Sequence, residues 1–203
     1  MDIERKNHWE KVYETKSPNE VSWTQEVPKT SLDFIHSLEL NKNATIIDIG
    51  GGDSNLVDFL LNEGFENITV LDISEKALEK AKIRLGEKAK KIKWIVSDIT
   101  EFAPEETYDV WHDRATFHFL TDAFQIEKYL EITGKAVNSH LIIGTFSENG
   151  PTKCSGLTIK QYSENTLEQQ FIKSFNKIKC ITENHITPFE TSQNFVFCSF
   201  KKR

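Results

Sequence analysis

Cysteine is scarce in this chain. There are three in 203 residues, Cys154, Cys180 and Cys198, an odd number at wide spacing. No CxxC pair and no Cys/His cluster with zinc-like spacing occurs, so no structural metal is implied. The three are expected to be reduced thiols of a cytoplasmic protein. Long apolar runs are also missing. None approaches the roughly 20 residues that span a bilayer, which argues against a membrane protein. The start, MDIERKNHWEKVYE, is charged and has no apolar signal core, so export is not expected. Positive charge is not in excess: the formal net charge is −6, which disfavours a broad nucleic-acid-binding surface. Glycine and proline are few, with nine and five, and no low-complexity tract, repeat or interdomain linker is visible. The length suits one well-packed domain, residues 1–203.

Against that background, three of the nine glycines stand together. In ATIIDIGGGDSNLVDFLL, residues 44–61, the apolar residues Ile46, Ile47 and Ile49 surround Asp48. Gly50, Gly51 and Gly52 follow, and then Leu56, Val57, Leu60 and Leu61 at helical spacing. This reads as a buried strand, a tight turn and a helix starting at the turn. Glycines let the backbone approach a ligand, and free N–H groups at a helix start favour polar or anionic groups. A second apolar run, Ile68 to Leu71, ends in Asp72, and a third, in IKWIVSDIT, ends in Asp98. An acid at the second strand tip can accept both hydroxyls of a ribose. A dinucleotide site of the form GxGxxG is the rival reading. Gly50 and Gly52 meet its first two positions, but Asn55 occupies the third.

Strands are expected near 44–49, 68–72, 92–97, 108–112 and 139–146, and helices near 54–63, 74–85 and 124–137. Ser74 and Gly86 bracket one helix as cap and stop. A further helical pattern covers SLDFIHSLEL, residues 31–40. Alternating β and α elements predict a parallel sheet covered on both faces. The two runs at the end, FIKSFNKIKCITENHITPF and NFVFCSFKK, have no helix between them and predict an antiparallel hairpin that closes the sheet. The fold class is therefore α/β, a three-layer Rossmann-like sandwich.

The ordered set IIDIGGG, TVLDIS, VSDIT and TYDVWHD resembles the motifs of class I S-adenosylmethionine-dependent methyltransferases, over nearly the whole chain. The flanks HWEKVYETKSPNEVSW, HDRATFHFL and GTFSENGPTKCSGL resemble a bacterial subgroup of undefined substrate. The resemblance implies a mostly parallel seven-stranded sheet whose last strand is antiparallel. It implies S-adenosylmethionine as cosubstrate, with Asp48, Gly50 and Gly52 near its methionine part, Asp72 on the ribose, and Ile73, Asp98 and Ile99 about the adenine. Residues 1–43 would form a helical lid segment, with Trp9, Tyr13, Trp23 and Gln25 over the cofactor. Thr24 stands where the subgroup often carries an aromatic. The loop after the fourth strand would lie beside the reactive methyl group and makes His112, Asp113 and Arg114 the catalytic candidates: a proton acceptor, a charge partner and an anion clamp. His118, four residues beyond Arg114 in an expected helix, could share that face. HDRA stands where an NPPY-like motif would recognise an amide, which weakens a nucleic-acid base or glutamine as acceptor.

The loop GPTKCSGL, residues 150–157, is expected to be irregular and to line the substrate pocket, with His185 and Thr187 as further lining residues. Cys154 is not expected to be a nucleophile, because transfer from a sulfonium needs no covalent enzyme intermediate. The expected function is methyl transfer to a small molecule. A protein lysine acceptor, or a non-catalytic S-adenosylmethionine-binding role, are the alternatives.

Overall fold

The computed structural model describes residues 3–203. Five parallel strands form the first part of the sheet: β1 Thr45–Ile49, β2 Asn67–Asp72, β3 Ile92–Val96, β4 Tyr108–Arg114 and β5 Val137–Phe146. A two-stranded hairpin, β6 Lys153–Cys154 and β7 Leu157–Thr158, follows β5. The long strands β8 Phe175–Ile186 and β9 Ser192–Lys202 complete the sheet in the order β3-β2-β1-β4-β5-β9-β8. β9 runs antiparallel to both β5 and β8. The expected terminal hairpin is thus present, with its second strand inserted between β5 and β8.

Residues alternate between the two faces along each strand, as the pleat requires. Ile47, Ile49, Trp111, Leu141 and Ile143 enter one apolar cluster with residues of helices α5 Ala123–Ala136 and α6 Glu164–Phe171. Ile46, Val110, Ile142 and Phe197 enter the other, with α2 Lys29–His36, α3 Leu56–Asn62 and α4 Glu75–Leu85. The cap expected for α4 is formed: Ser74 Oγ accepts from Ala77 N at 3.2 Å, and Gly86 ends the helix at φ 55°. α6 has no counterpart in the sequence reading.

One expectation is corrected here. Cys180 and Cys198 are joined by a disulfide rather than held as thiols. They are direct cross-strand partners in the β8–β9 register, so the hairpin brings together two cysteines 18 residues apart. Only Cys154 remains a free, buried thiol. The loop after β5 is also more regular than expected. Ser155 and Gly156, at φ 50° and 80°, make the two-residue turn between β6 and β7. Positive φ at both positions suits the twist of a tight hairpin.

Candidate functional site

The parallel strands deliver their C-terminal ends to one edge of the sheet. β1 passes there into the glycine turn. Gly50 N and Gly51 N donate to Leu71 O at 2.7 and 3.2 Å, tying the turn to β2. Gly50 and Gly52 have φ of 63° and 39°, in the region side-chain-bearing residues rarely adopt. A Cβ on Gly51 would stand 2.7 Å from both Asp48 Oδ2 and Val70 Cγ1, so no larger residue fits without a shift. Arg84 of α4 clasps the outside of the turn through Asp53, Asp58 and the Ser54 carbonyl.

A cavity of about 620 Å³ opens at this edge. That volume lies within the roughly 300–1,000 Å³ of small-molecule sites. Of the expected cofactor contacts, Asp48, Gly50, Asp72, Ile73, Asp98, Ile99 and Trp23 line it, whereas Gly52 does not. Asp72 Oδ1 accepts from Ser74 N at 2.8 Å, and Oδ2 faces the turn, 2.8 Å from where a Cβ on Gly52 would be. Burial, then the charges of Asp48 and Glu10, push the Asp72 carboxyl up to about 7. Asp98 Oδ1 accepts from Thr100 N and Thr100 Oγ1 at 2.9 and 2.7 Å. Its Oδ2 lies 3.7 Å from Arg5 Nη1. The glycine cradle and the two strand-end acids around one space fit a ligand with a ribose and a purine.

Residues of the N-terminal side line the cavity as well. Helix α1, Ile3–Thr15, docks on α4 through Glu10, whose carboxylate accepts from Ser74 Oγ and from the N–H groups of Glu75 and Lys76. A carboxylate there complements the positive end of α4. Trp9, Tyr13 and Trp23 then cluster with Phe119 over the cavity, with Trp9–Trp23 and Trp9–Phe119 centroids 5.6 and 5.1 Å apart. Asn55 Nδ2 holds the same segment by donating to Gln25 O and Glu26 O at 3.2 and 3.1 Å. The residue that breaks the dinucleotide pattern therefore anchors the segment at Gln25 and Glu26. Glu10 and Asn55 were missed in the sequence because both act across long chain separations, with no local motif.

β4 divides the three catalytic candidates. His112 and Arg114 point into the cavity, and Asp113, one residue out of phase, points to the opposite face. Asp113 is fully buried and accepts from Thr116 N, Phe117 N and Tyr129 Oη at 3.0, 3.1 and 2.6 Å. It has no access to a ligand and holds the turn after β4. His112 is 2% exposed. Its Nδ1 is 2.7 Å from Asp48 Oδ1 and its Nε2 is 2.8 Å from Ser31 Oγ of α2. Both ring nitrogens are occupied, so in this arrangement neither takes a proton directly from a ligand. Arg114 Nη1 donates to Trp23 O at 3.0 Å, and its guanidinium lies over Phe195 at 4.9 Å.

His118 is not in a regular helix but in a short 3-10 turn, Phe117–Phe119. Its ring stacks on Phe146 at 4.5 Å and lies outside the cavity lining. Burial and the Arg114 charge push it down to about 3, so it is neutral. His185 and Thr187 also lie outside the lining, and His185 Nε2 pairs with Ser22 O at 2.7 Å. Cys154 lines the cavity with its thiol pushed up to about 11 by burial, which opposes thiolate chemistry.

Residues 46–137 match the family model for a methyltransferase domain. This match supports a class I S-adenosylmethionine-dependent methyltransferase domain. A malonyl-[acyl-carrier protein] O-methyltransferase of Anoxybacillus flavithermus is 33% identical over 126 residues, covering 59% of this chain and 48% of the relative. A mouse eEF1A lysine and N-terminal methyltransferase is 26% identical over 124 residues, or 59% and 17% of the two chains. The chain thus spans about half or less of the length of these curated relatives. Its fold is shared with the N-methyltransferase NodS from Bradyrhizobium japonicum WM9, solved with S-adenosyl-L-homocysteine. The TM-score is 0.67 at 16% identity, covering 88% and 89% of the chains. Among the described residues, no helix is long and apolar enough to cross a membrane.

Proposed function

We propose that residues 1–203 act as one domain that transfers the methyl group of S-adenosylmethionine to a small-molecule acceptor. The observation that carries the reading is the meeting of the glycine turn, Asp72 and Asp98 around one cavity that continues past them to Arg114, Phe119 and Leu120. In the proposal Asp72 accepts from the ribose hydroxyls, and Asp98 with Ile99 recognises the adenine edge. Asp48, Gly50 and Gly52 shape the methionine end, and Trp23 covers it. The bound sulfonium supplies an activated methyl group. What the protein adds is alignment and exclusion of water. His112 then serves as a positioning residue, bridging Asp48 beside the turn to Ser31 beneath the lid.

The extra space beside Arg114 favours an enzyme over a protein that only binds the cofactor. The enclosing aromatic lid favours a small acceptor over a protein lysine, although one similar chain is named for lysine methylation. A cytoplasmic setting is part of the proposal.

Calorimetry tests the cofactor: the purified protein is expected to bind S-adenosylhomocysteine and to bind NAD far more weakly. Tight NAD binding with no response to S-adenosylhomocysteine would overturn the proposal. Labelled S-adenosylmethionine, incubated separately with small-molecule and protein fractions, tests the acceptor. Label is expected in the small molecules, and label confined to protein would select the lysine alternative.

A further inference from the structure

The guanidinium of Arg114 is incompletely satisfied. Nη1 donates to the Trp23 carbonyl, but Nε and Nη2 are buried and have no hydrogen-bond partner. Among the described residues no carboxylate lies within ion-pairing distance, 4.0 Å, of this group. Glu183 and Asp48 act on it only at longer range, and Glu183 is engaged by the Thr30 hydroxyl. Burial pulls the guanidinium down to about 10, so it is still charged at neutral pH. A buried charge without a counter-ion is costly, and folding alone gives no reason to keep one.

The two free donors are the informative pair. Nε–H and Nη2–H point the same way along one edge of the guanidinium plane, the fork that grips two oxygens of one oxyanion. Trp23 holds the opposite corner and Phe195 supports the flat face, so the fork is preset. It belongs to a residue that lines the cavity, whose lining also includes the aromatic and aliphatic side chains of Trp9, Trp23, Phe119 and Leu120. Arg114 ends β4, whereas Asp72 ends β2 and Asp98 follows β3, both on the far side of β1.

We infer that the Arg114 fork binds an oxyanion, carboxylate or phosphate, of the methyl acceptor, and so selects acceptors with an apolar body and one anionic group. This rests on the cofactor reading above and adds the acceptor's chemistry. The oxyanion is the handle; the Trp23, Phe119 and Leu120 wall orients the rest of the molecule toward the methyl group.

The test uses benzoate, phenyl phosphate and the neutral benzamide, titrated calorimetrically into the full chain with and without S-adenosylhomocysteine. At least one of the two anions is expected to bind about tenfold or more tightly than benzamide, the size of a charge-assisted fork. Which anion is the tighter assigns the oxyanion. Arg114→Gln is expected to erase the preference while changing S-adenosylhomocysteine affinity less than about threefold. Arg114→Lys keeps the charge but not the fork, and is expected to retain a weakened preference; it also serves if the Gln variant does not fold. No anion preference in the parent, or an unchanged one in Arg114→Gln, would overturn the inference. So would a loss of S-adenosylhomocysteine affinity of about tenfold in that variant, because the fork would then serve the cofactor's own carboxylate. Since the probes are also titrated without cofactor, failure of S-adenosylhomocysteine to bind the parent would fall on the cofactor reading alone.

Discussion

Asp113→Ala is expected to lower stability by roughly 2 kcal/mol or more, because it strands two buried donors that each cost about 1–3 kcal/mol and a third that is half-buried. The donors are Thr116 N, Phe117 N and Tyr129 Oη, and Tyr129 in turn accepts from Trp111 Nε1 at 3.0 Å. This chain ties the β4 turn to α5 on the face away from the cavity. The readout is the urea midpoint of unfolding; an unchanged midpoint would show that the turn is held by other contacts. Asp113→Asn separates shape from charge, since its carbonyl can still accept from the two N–H groups. Burial pushes the Asp113 carboxyl from 3.8 up to about 6 in the folded protein. The folded state therefore holds the proton more tightly than the unfolded state. Through this group the parent loses stability as pH rises from 3.8 to about 6. The Asn variant lacks that loss, so the parent's advantage over it is expected to shrink across the same range.

Asp72→Ala is expected to weaken S-adenosylhomocysteine binding by about tenfold or more, because charge-assisted hydrogen bonds contribute roughly 1.5–3 kcal/mol. Unchanged affinity in calorimetry would remove Asp72 from the site. The parent carries a second signature. Donation from both ribose hydroxyls is charge-assisted only when the acceptor is ionised, and Asp72 in the free protein is held protonated up to about 7 by its burial. Tight binding therefore favours release of a proton at lower pH. Affinity is expected to rise as pH increases through about 7 and to level off above it. Asp72→Asn, which cannot ionise, is expected to lose this rise. A parent whose affinity is flat from about pH 6 to about pH 8 would contradict the assignment.

The two aspartates show how far local pattern reaches. Both end or nearly end an apolar strand, and both invite a functional reading from sequence. Asp72 keeps its place on the cavity because its strand tip faces the glycine turn. Asp113 is lost to it by a single step in a two-residue repeat, which turns the side chain to the α5 face. The pairing of Cys180 with Cys198 was hidden for a similar reason. A hairpin is legible from its apolar alternation, but its register depends on where the turn falls, here 187–191 between Ile186 and Ser192.

Sequence by itself determined the α/β class, the glycine turn, the acids at the strand ends and the closing hairpin. All of these depend on short-range effects: apolar periodicity, caps, and the backbone freedom of Gly50 and Gly52. Only the tertiary structure decided which side chains share a space. Glu10 caps α4 across 64 to 66 residues, Asn55 holds Gln25 at 30, and His112 meets Ser31 at 81. It also decided that two guanidinium donors of Arg114 are buried and unpaired. Contacts of that separation leave no periodic trace, because they are selected by the packing of whole elements rather than by the neighbours of any one residue.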